Sequence, residues 1–178
     1  MITEVLEKKQ ELIKELEKEI ENCKKCELWK TRTNSVPGEG SFDARIMFIG
    51  EAPGYWEDKK GRPFVGKAGK VLDELLDSIR LKREEVYITN IVKCRPPNNR
   101  DPNPNEIRAC SPYLERQISL ISPKIIATLG RFAMEYIFNK FGLSEKRISD
   151  VHGKIFEVNT IKGKIKIVPL YHPAVAVY

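Results

Sequence analysis

The chain has 178 residues, 41% of them hydrophobic and 31% charged, and no apolar run approaches the ~18 residues that span a bilayer, so a membrane helix and a disordered chain are both excluded. Its N-terminus, MITEVLEKKQELIKELEKEIENC, is charged throughout where a secretory signal needs an apolar core, which predicts an intracellular protein. A net charge of +6 points to a polyanionic partner, most simply nucleic acid, against the plainer reading of a Lys- and Glu-rich surface that ends up positive; the same Glu and Lys richness with little Gln hints at a heat-adapted protein.

Residues 3–22 carry Val5, Leu6, Leu12, Ile13, Leu16 and Ile20 at helical spacing and predict an amphipathic helix. It ends at Cys23-Lys-Lys-Cys26, a pair in a polar setting that does not suit buried structural cysteines. The run 44–50, ARIMFIG, reads as a buried strand, followed by a long loop to Gly66. Val71, Leu72, Leu75, Leu76 and Ile79 then share one helical face. A second buried strand, VYITNIV at 86–92, leads into the proline- and asparagine-rich loop KCRPPNNRDPNP. Asn103, Pro104 and Glu106 are the start signals of the next helix, which carries Cys110 and is expected to bend at Pro112. PKIIATLG at 123–130 is a third strand, RFAMEYIFNKFG a helix closed by Gly142, and 154–160 and 164–173 a pair of strands joined through Lys162-Gly163. The alternation predicts one α/β domain over 1–178, a mostly parallel sheet with helices on both faces, and ligand contacts at the carboxyl ends of the strands.

Gly61-Arg-Pro-Phe-Val-Gly66-Lys67-Ala68 matches the phosphate-loop pattern G-x-x-x-x-G-K-[ST] except at its last position. Four features oppose a phosphate cradle. The preceding strand ends at Gly50, the intervening YWEDKKGRP carries acids that would repel phosphate, Pro63 has no N–H, and Ala68 has no hydroxyl. A planar ligand suits the segment better. The turn from Gly50 through Ala52 to Gly54 leaves room beside the backbone, and Phe64 is either a stacking face or a plug beneath the loop. Cys23, Cys26, Cys94 and Cys110, two close and two distant, are able to complete a four-thiolate site whose spacing admits zinc or an iron–sulfur cluster.

VPGEG, GEAPGYWEDKKGRPFVGKAGKVLDELL, YITNIVKCRPPNNRDPNPNEIRAC and YHPA together resemble the family-4 uracil-DNA glycosylases, the iron–sulfur branch of the uracil-DNA glycosylase superfamily, from about Cys23 onward. The resemblance implies a three-layer α/β/α sandwich with a central four-stranded parallel sheet. It also implies a [4Fe-4S] cluster on Cys23, Cys26, Cys94 and Cys110, and removal of uracil from DNA. Asn90 matches the residue that reads the uracil edge, Phe64 the one that stacks on the base, and His172 the one set against uracil O2, with Gly50, Glu51 and Ala52 lining the pocket. An asparagine amide accepts from N3–H and donates to O4, a pattern that cytosine reverses. Glu51 is expected in the pocket, orienting water, steadying the sugar cation or crowding uracil C5, while His152 reads as a surface residue. The cluster's part is expected to be structural, pinning a loop that turns Lys93, Arg95 and Arg100 toward phosphates. A monomer acting on uracil-containing DNA is expected. The chain ends six residues after His172, earlier than is usual in the family, so the loop that enters the minor groove is expected to be curtailed. The competing reading, a cluster- or zinc-bearing nucleic-acid-binding module without catalysis, leaves Asn90, Phe64 and His172 without a shared purpose.

Overall fold

The computed structural model describes residues 1–177. In chain order it comprises α1 (Ile2–Glu21), β1 (Glu39–Gly40), β2 (Ile46–Gly50), α2 (Tyr55–Lys60), α3 (Lys67–Ser78), β3 (Tyr87–Asn90), α4 (Pro104–Ile121), β4 (Ile125–Leu129), α5 (Arg131–Lys140), α6 (Ile148–Val151), β5 (Phe156–Thr160) and β6 (Gly163–Leu170), with short 3-10 turns between. The strands form one sheet of order β1-β3-β2-β4-β6-β5. The pairs β2–β3, β2–β4 and β4–β6 run parallel, while β1 and β5 join the two edges antiparallel. The sheet is therefore six strands wide rather than four. One edge gains a two-residue strand too short to leave a sequence pattern, and the other gains the first arm of the 156–170 hairpin.

Strand residues alternate between the faces, and the two faces bury different helices. Met47, Ile49, Tyr87, Ile126 and Ile167 pack with the apolar sides of α1, α4 and α5. Phe48, Ile88, Ala127 and Leu129 pack with Leu72 and Leu76 of α3 and with Phe64. β2, β3 and β4 are buried on both sides because both faces are covered there, whereas β6, nearer the edge, is largely exposed at its start and then alternates buried and partly exposed residues. Only the second half of the expected α1 stripe is used: Ile13, Leu16 and Ile20 are buried, whereas Val5 and Leu6 stay exposed. α4 starts as its sequence demands. Asn103 accepts from the Glu106 N–H and Glu106 accepts from the Asn103 N–H, both at 2.9 Å, and the helix continues through Pro112.

α2 lies in the segment expected to be loop. Its six residues, YWEDKK, have no apolar period, and it closes on Gly61 at φ 69°. Among the described residues no helix is long and apolar enough to cross a membrane.

Gly69 lies in α3 where the helix meets the loop that carries Phe64. A Cβ there would stand 2.0 Å from the Phe64 carbonyl oxygen. Gly→Ala inside a helix ordinarily stabilises by about 1 kcal/mol. Here the sign reverses. Gly69→Ala is expected to destabilise by roughly 1–3 kcal/mol through overpacking, read as a lower thermal midpoint.

Candidate active site

A cavity of about 590 Å³ opens at the carboxyl ends of the parallel strands. The segments after β2, β3 and β6 supply its walls: Glu51 to Glu57 and Phe64 to Ala68 from the first, Asn90 and Asn99 to Asp101 from the second, and His172 and Ala174 from the third. The loop after β4 enters from behind, since a Cβ on Gly130 would stand 3.2 Å from the Cβ of His172. The structure thus gathers Glu51, Ala52, Phe64, Asn90 and His172 around one space.

Gly50 sits at the crossing of two of these side chains. A Cβ on it would lie 2.5 Å from Asn90 Oδ1 and 2.7 Å from Phe64 Cζ, so only glycine lets both approach the end of β2. Asn90, the last residue of β3, is 2% exposed, yet its amide has no hydrogen-bond partner among the described residues. An amide left open toward a polar cavity keeps an N–H donor and a carbonyl acceptor to offer a ligand. Phe64 is 7% exposed and holds a left-handed φ of 49°, a conformation that costs free energy outside glycine. Its ring lies 5.7 Å from that of His172 at an interplanar angle of 32°.

Two charged side chains hold Phe64 in that conformation. Arg83 donates to the carbonyls of Pro63 at 2.7 Å and Phe64 at 3.1 Å while pairing with Asp73 at 2.9 Å and Glu39 at 3.3 Å. Glu57 accepts from the N–H groups of Gly54 at 3.1 Å and of Val65 and Gly66 at 2.9 Å. The backbone N–H groups at the start of α3, which a phosphate loop would turn to its nucleotide, are thus already filled by a protein carboxylate. The phosphate-loop reading fails for that reason. The acids of YWEDKK do not repel ligand from the surface as the sequence suggested, because they point inward. Asp58 is 3% exposed and accepts from the N–H groups of Thr33 and Asn34.

His172 is half-buried, and burial pushes its pKa below the usual imidazole value, partly offset by the charge of Glu57. Its Nδ1 accepts the Ala174 N–H at 3.0 Å. A neutral imidazole whose Nδ1 accepts must carry its proton on Nε2, so the ring presents an N–H donor without being a cation. Glu51 has the opposite shift. Burial, and then hydrogen bonding and charge repulsion from Asp101, push it up to about 7, with Arg131 opposing. His152, by contrast, accepts the Tyr171 N–H and stacks on the Tyr171 ring at 4.1 Å, away from the cavity.

The four cysteines line a second, far smaller hollow of about 10 Å³ between the end of α1, the loop after β3 and α4. None forms a disulfide. The thiols share the wall without converging on one ion-sized point. Two receive N–H donors: Cys94 Sγ from Arg32 at 3.0 Å and Cys110 Sγ from the Lys93 backbone at 3.2 Å. Burial pushes the Cys110 thiol up to about 12, against the lowering pull of Lys93.

Lys93 does not face phosphates. It is 1% exposed, and its Nζ donates to Thr89 Oγ1 at 2.6 Å, Gln117 Oε1 at 2.6 Å and the Asn90 carbonyl at 2.7 Å. A lysine at this strand end reads as surface in the sequence, and only the fold supplies the three acceptors that allow its burial. Arg100 is also engaged, in a bidentate pair with Glu106 at 2.8 Å. It still lines the cavity.

Residues 37–178 match the family model described as "Uracil DNA glycosylase superfamily". The chain is 54% identical over 168 residues to the type-4 uracil-DNA glycosylase of Archaeoglobus fulgidus, covering 94% of this chain and 84% of that one. It is 56% identical to the enzyme of that name from Saccharolobus solfataricus, covering 90% and 74%, and 45% identical to that of Thermotoga maritima, covering 93% and 83%. This chain belongs to the uracil-DNA glycosylase superfamily, in its type-4 branch.

Three residues around this cavity left no signal in the sequence. Glu57 and Arg83 act through the backbone of the Phe64 loop, and Asp101 meets Glu51 only because the loops after β2 and β3 converge. Asp101→Asn keeps the shape and removes the charge. The Glu51 pKa is expected to fall from about 7 but to stay above the ordinary carboxylate value, because burial is the larger cause. A carboxyl ¹³C titration of Glu51 in the two proteins reads the difference.

Proposed function

We propose that the chain extrudes uracil from DNA and hydrolyses its N-glycosidic bond, leaving an abasic site. The observation that carries this reading is the unpartnered Asn90 amide, almost fully buried and sharing one cavity with Phe64 and a neutral histidine N–H donor. The Asn90 amide N–H₂ donates to uracil O4 and its carbonyl accepts from N3–H, while cytosine opposes both. Phe64 stacks on the ring, and Ala52, small and on the cavity wall, leaves room for the base, while Gly50 acts behind it by letting Asn90 and Phe64 approach. As the C1′–N1 bond breaks, electrons move onto the base. His172 Nε2–H donates to the O2 on which negative charge collects, and this bond strengthens toward the transition state. Glu51, ionised as pH rises through about 7, takes the proton of the water whose oxygen bonds to C1′.

In this reading Cys23, Cys26, Cys94 and Cys110 hold a [4Fe-4S] cluster. The group supplies a four-point crosslink, since hydrolysis moves no electrons to or from it. Four thiols lining one hollow, with N–H donors on two of the sulfurs, and the likeness to the type-4 branch support the cluster. The three-layer arrangement about the four parallel strands is the superfamily core, and β1 and β5 are edge additions. Residues 1–178 act as one domain and as a monomer, because one chain supplies the whole cavity.

Release of uracil from a labelled oligonucleotide tests the activity, and Asn90→Asp tests its basis. An ionised aspartate sets an acceptor against O4. A mismatch of this kind, with one member charged, costs upwards of ~1–3 kcal/mol, so single-turnover release of uracil is expected to fall at least ~10-fold. A wild-type rate in Asn90→Asp removes Asn90 from recognition. No release by the wild-type protein favours the binding module without catalysis.

The purified holoprotein is expected to be brown, with broad absorbance near ~400 nm and about four irons per chain. Colourless protein with one tightly held zinc overturns the cluster.

A further inference from the structure

α2 carries two aromatic residues that the recognition of uracil does not use. Tyr55 and Trp56 are 45% and 56% exposed, and both line the mouth of the cavity. Their rings meet edge to face, with centroids 5.1 Å apart at 89°. The cations of Lys59 and Arg95 lie over the Tyr55 ring at 5.4 and 5.3 Å. Among the described residues no cation covers Trp56. Its indole stands beside the bare backbone of Gly66, where a Cβ would come 3.6 Å from Trp56 Cδ1. The two acids of the helix are turned inward onto backbone amides, so what α2 shows to solvent is tyrosine, tryptophan, Lys59 and Lys60.

An exposed tryptophan beside an open cavity is an unusual surface for a protein to keep without a ligand. Rigid aromatic faces interleaved with cations are what single-stranded nucleic acid binds: bases stack on the rings and phosphates pair with the cations. Because this platform continues the wall of the cavity, its occupant is part of the same strand as the extruded nucleotide.

We propose that Trp56, buttressed by Tyr55, is a stacking subsite for the base adjoining the extruded uracil, with Lys59 and Arg95 set against the phosphate between the two nucleotides and the one that flanks them. The proposal rests on the uracil-releasing function argued above. It makes the site read two nucleotides, one by hydrogen bonds and one by stacking alone, and the second is therefore tolerant of base identity. It also favours substrate whose neighbouring base is free to leave its own stack, as in single strands.

The test measures the dissociation constant of the holoprotein for single-stranded oligonucleotides carrying one uracil, in which each neighbouring base in turn is replaced by an abasic tetrahydrofuran. A base–aromatic stack weakens binding by about 5- to 150-fold when lost. On the oligonucleotide with both neighbours present, Trp56→Ala is expected to lose affinity within that range, and Trp56→Phe to keep most of it. On the oligonucleotide lacking the stacked neighbour, wild type and Trp56→Ala are expected to agree within about 2-fold. Equal losses for Trp56→Ala on every oligonucleotide, or no loss on any, overturn the subsite. A wild-type protein that binds these strands but releases no uracil overturns the parent function instead, so the two failures are distinct.

Discussion

A lysine side chain without access to water sits at the carboxyl end of β3, and burial lowers its pKa to about 7. An unpaired buried charge is costly, and here three oxygens on two elements surround Lys93 at 2.6–2.7 Å. Thr89 and Asn90 come from the strand and Gln117 from α4. The same residue's backbone N–H reaches Cys110 Sγ, and the next residue is Cys94. One side chain therefore joins the strand that presents Asn90, the helix that carries Cys110 and the loop of thiols. Hydrogen bonds to a charged group contribute about 1.5–3 kcal/mol each, against a desolvation penalty of several kcal/mol. The arrangement is stable only if every acceptor is in place. That requirement makes the thiol hollow and the base cavity one structural unit rather than two neighbouring sites.

The rim of the cavity uses charge in a similar way. Glu57, Asp58 and Arg83 all engage backbone groups of the Phe64 loop or of the segment around Thr33 and Asn34. A loop whose phenylalanine holds a left-handed φ needs such bonds to keep that conformation. Their inward aim also changes what approaches the surface. The acids are consumed and the aromatic and lysine side chains face outward, which suits a polyanion that stacks its bases.

Within the cavity, burial acts on two titrating groups in opposite senses. It keeps His172 neutral and so a pure N–H donor, and it brings Glu51 close to neutral pH, where a proton is readily accepted. Desolvation always opposes the charged form, so one dry wall tunes an imidazole downward and a carboxyl upward. Asp101 adds to the second effect, and the Ala174 N–H fixes the tautomer in the first.

Much of this was legible in the chain. The parallel strands showed as β-branched runs because both sheet faces are buried, and the start of α4 showed because capping is a local interaction. Asn90, Phe64 and His172 could be singled out only through the resemblance of the motifs that carry them to the family-4 glycosylases, since residue type alone reads equally as a turn asparagine, a plug beneath a loop and a surface histidine. The four cysteines stood out because a thiol pair in a polar segment has no structural excuse. What stayed hidden depended on contacts between residues far apart in sequence. α2 has no apolar period, so nothing local revealed it or the inward aim of its acids. Lys93 reads as a surface cation until Gln117, more than twenty positions on, closes around it. Asp101 becomes the neighbour of Glu51 only when two loops meet. Local chemistry, carried by residue type and spacing, was determined by the sequence by itself. Protonation, exposure and partnership were decided by the tertiary structure, because electrostatic free energy depends on which distant groups, and how much water, the fold brings to each charge.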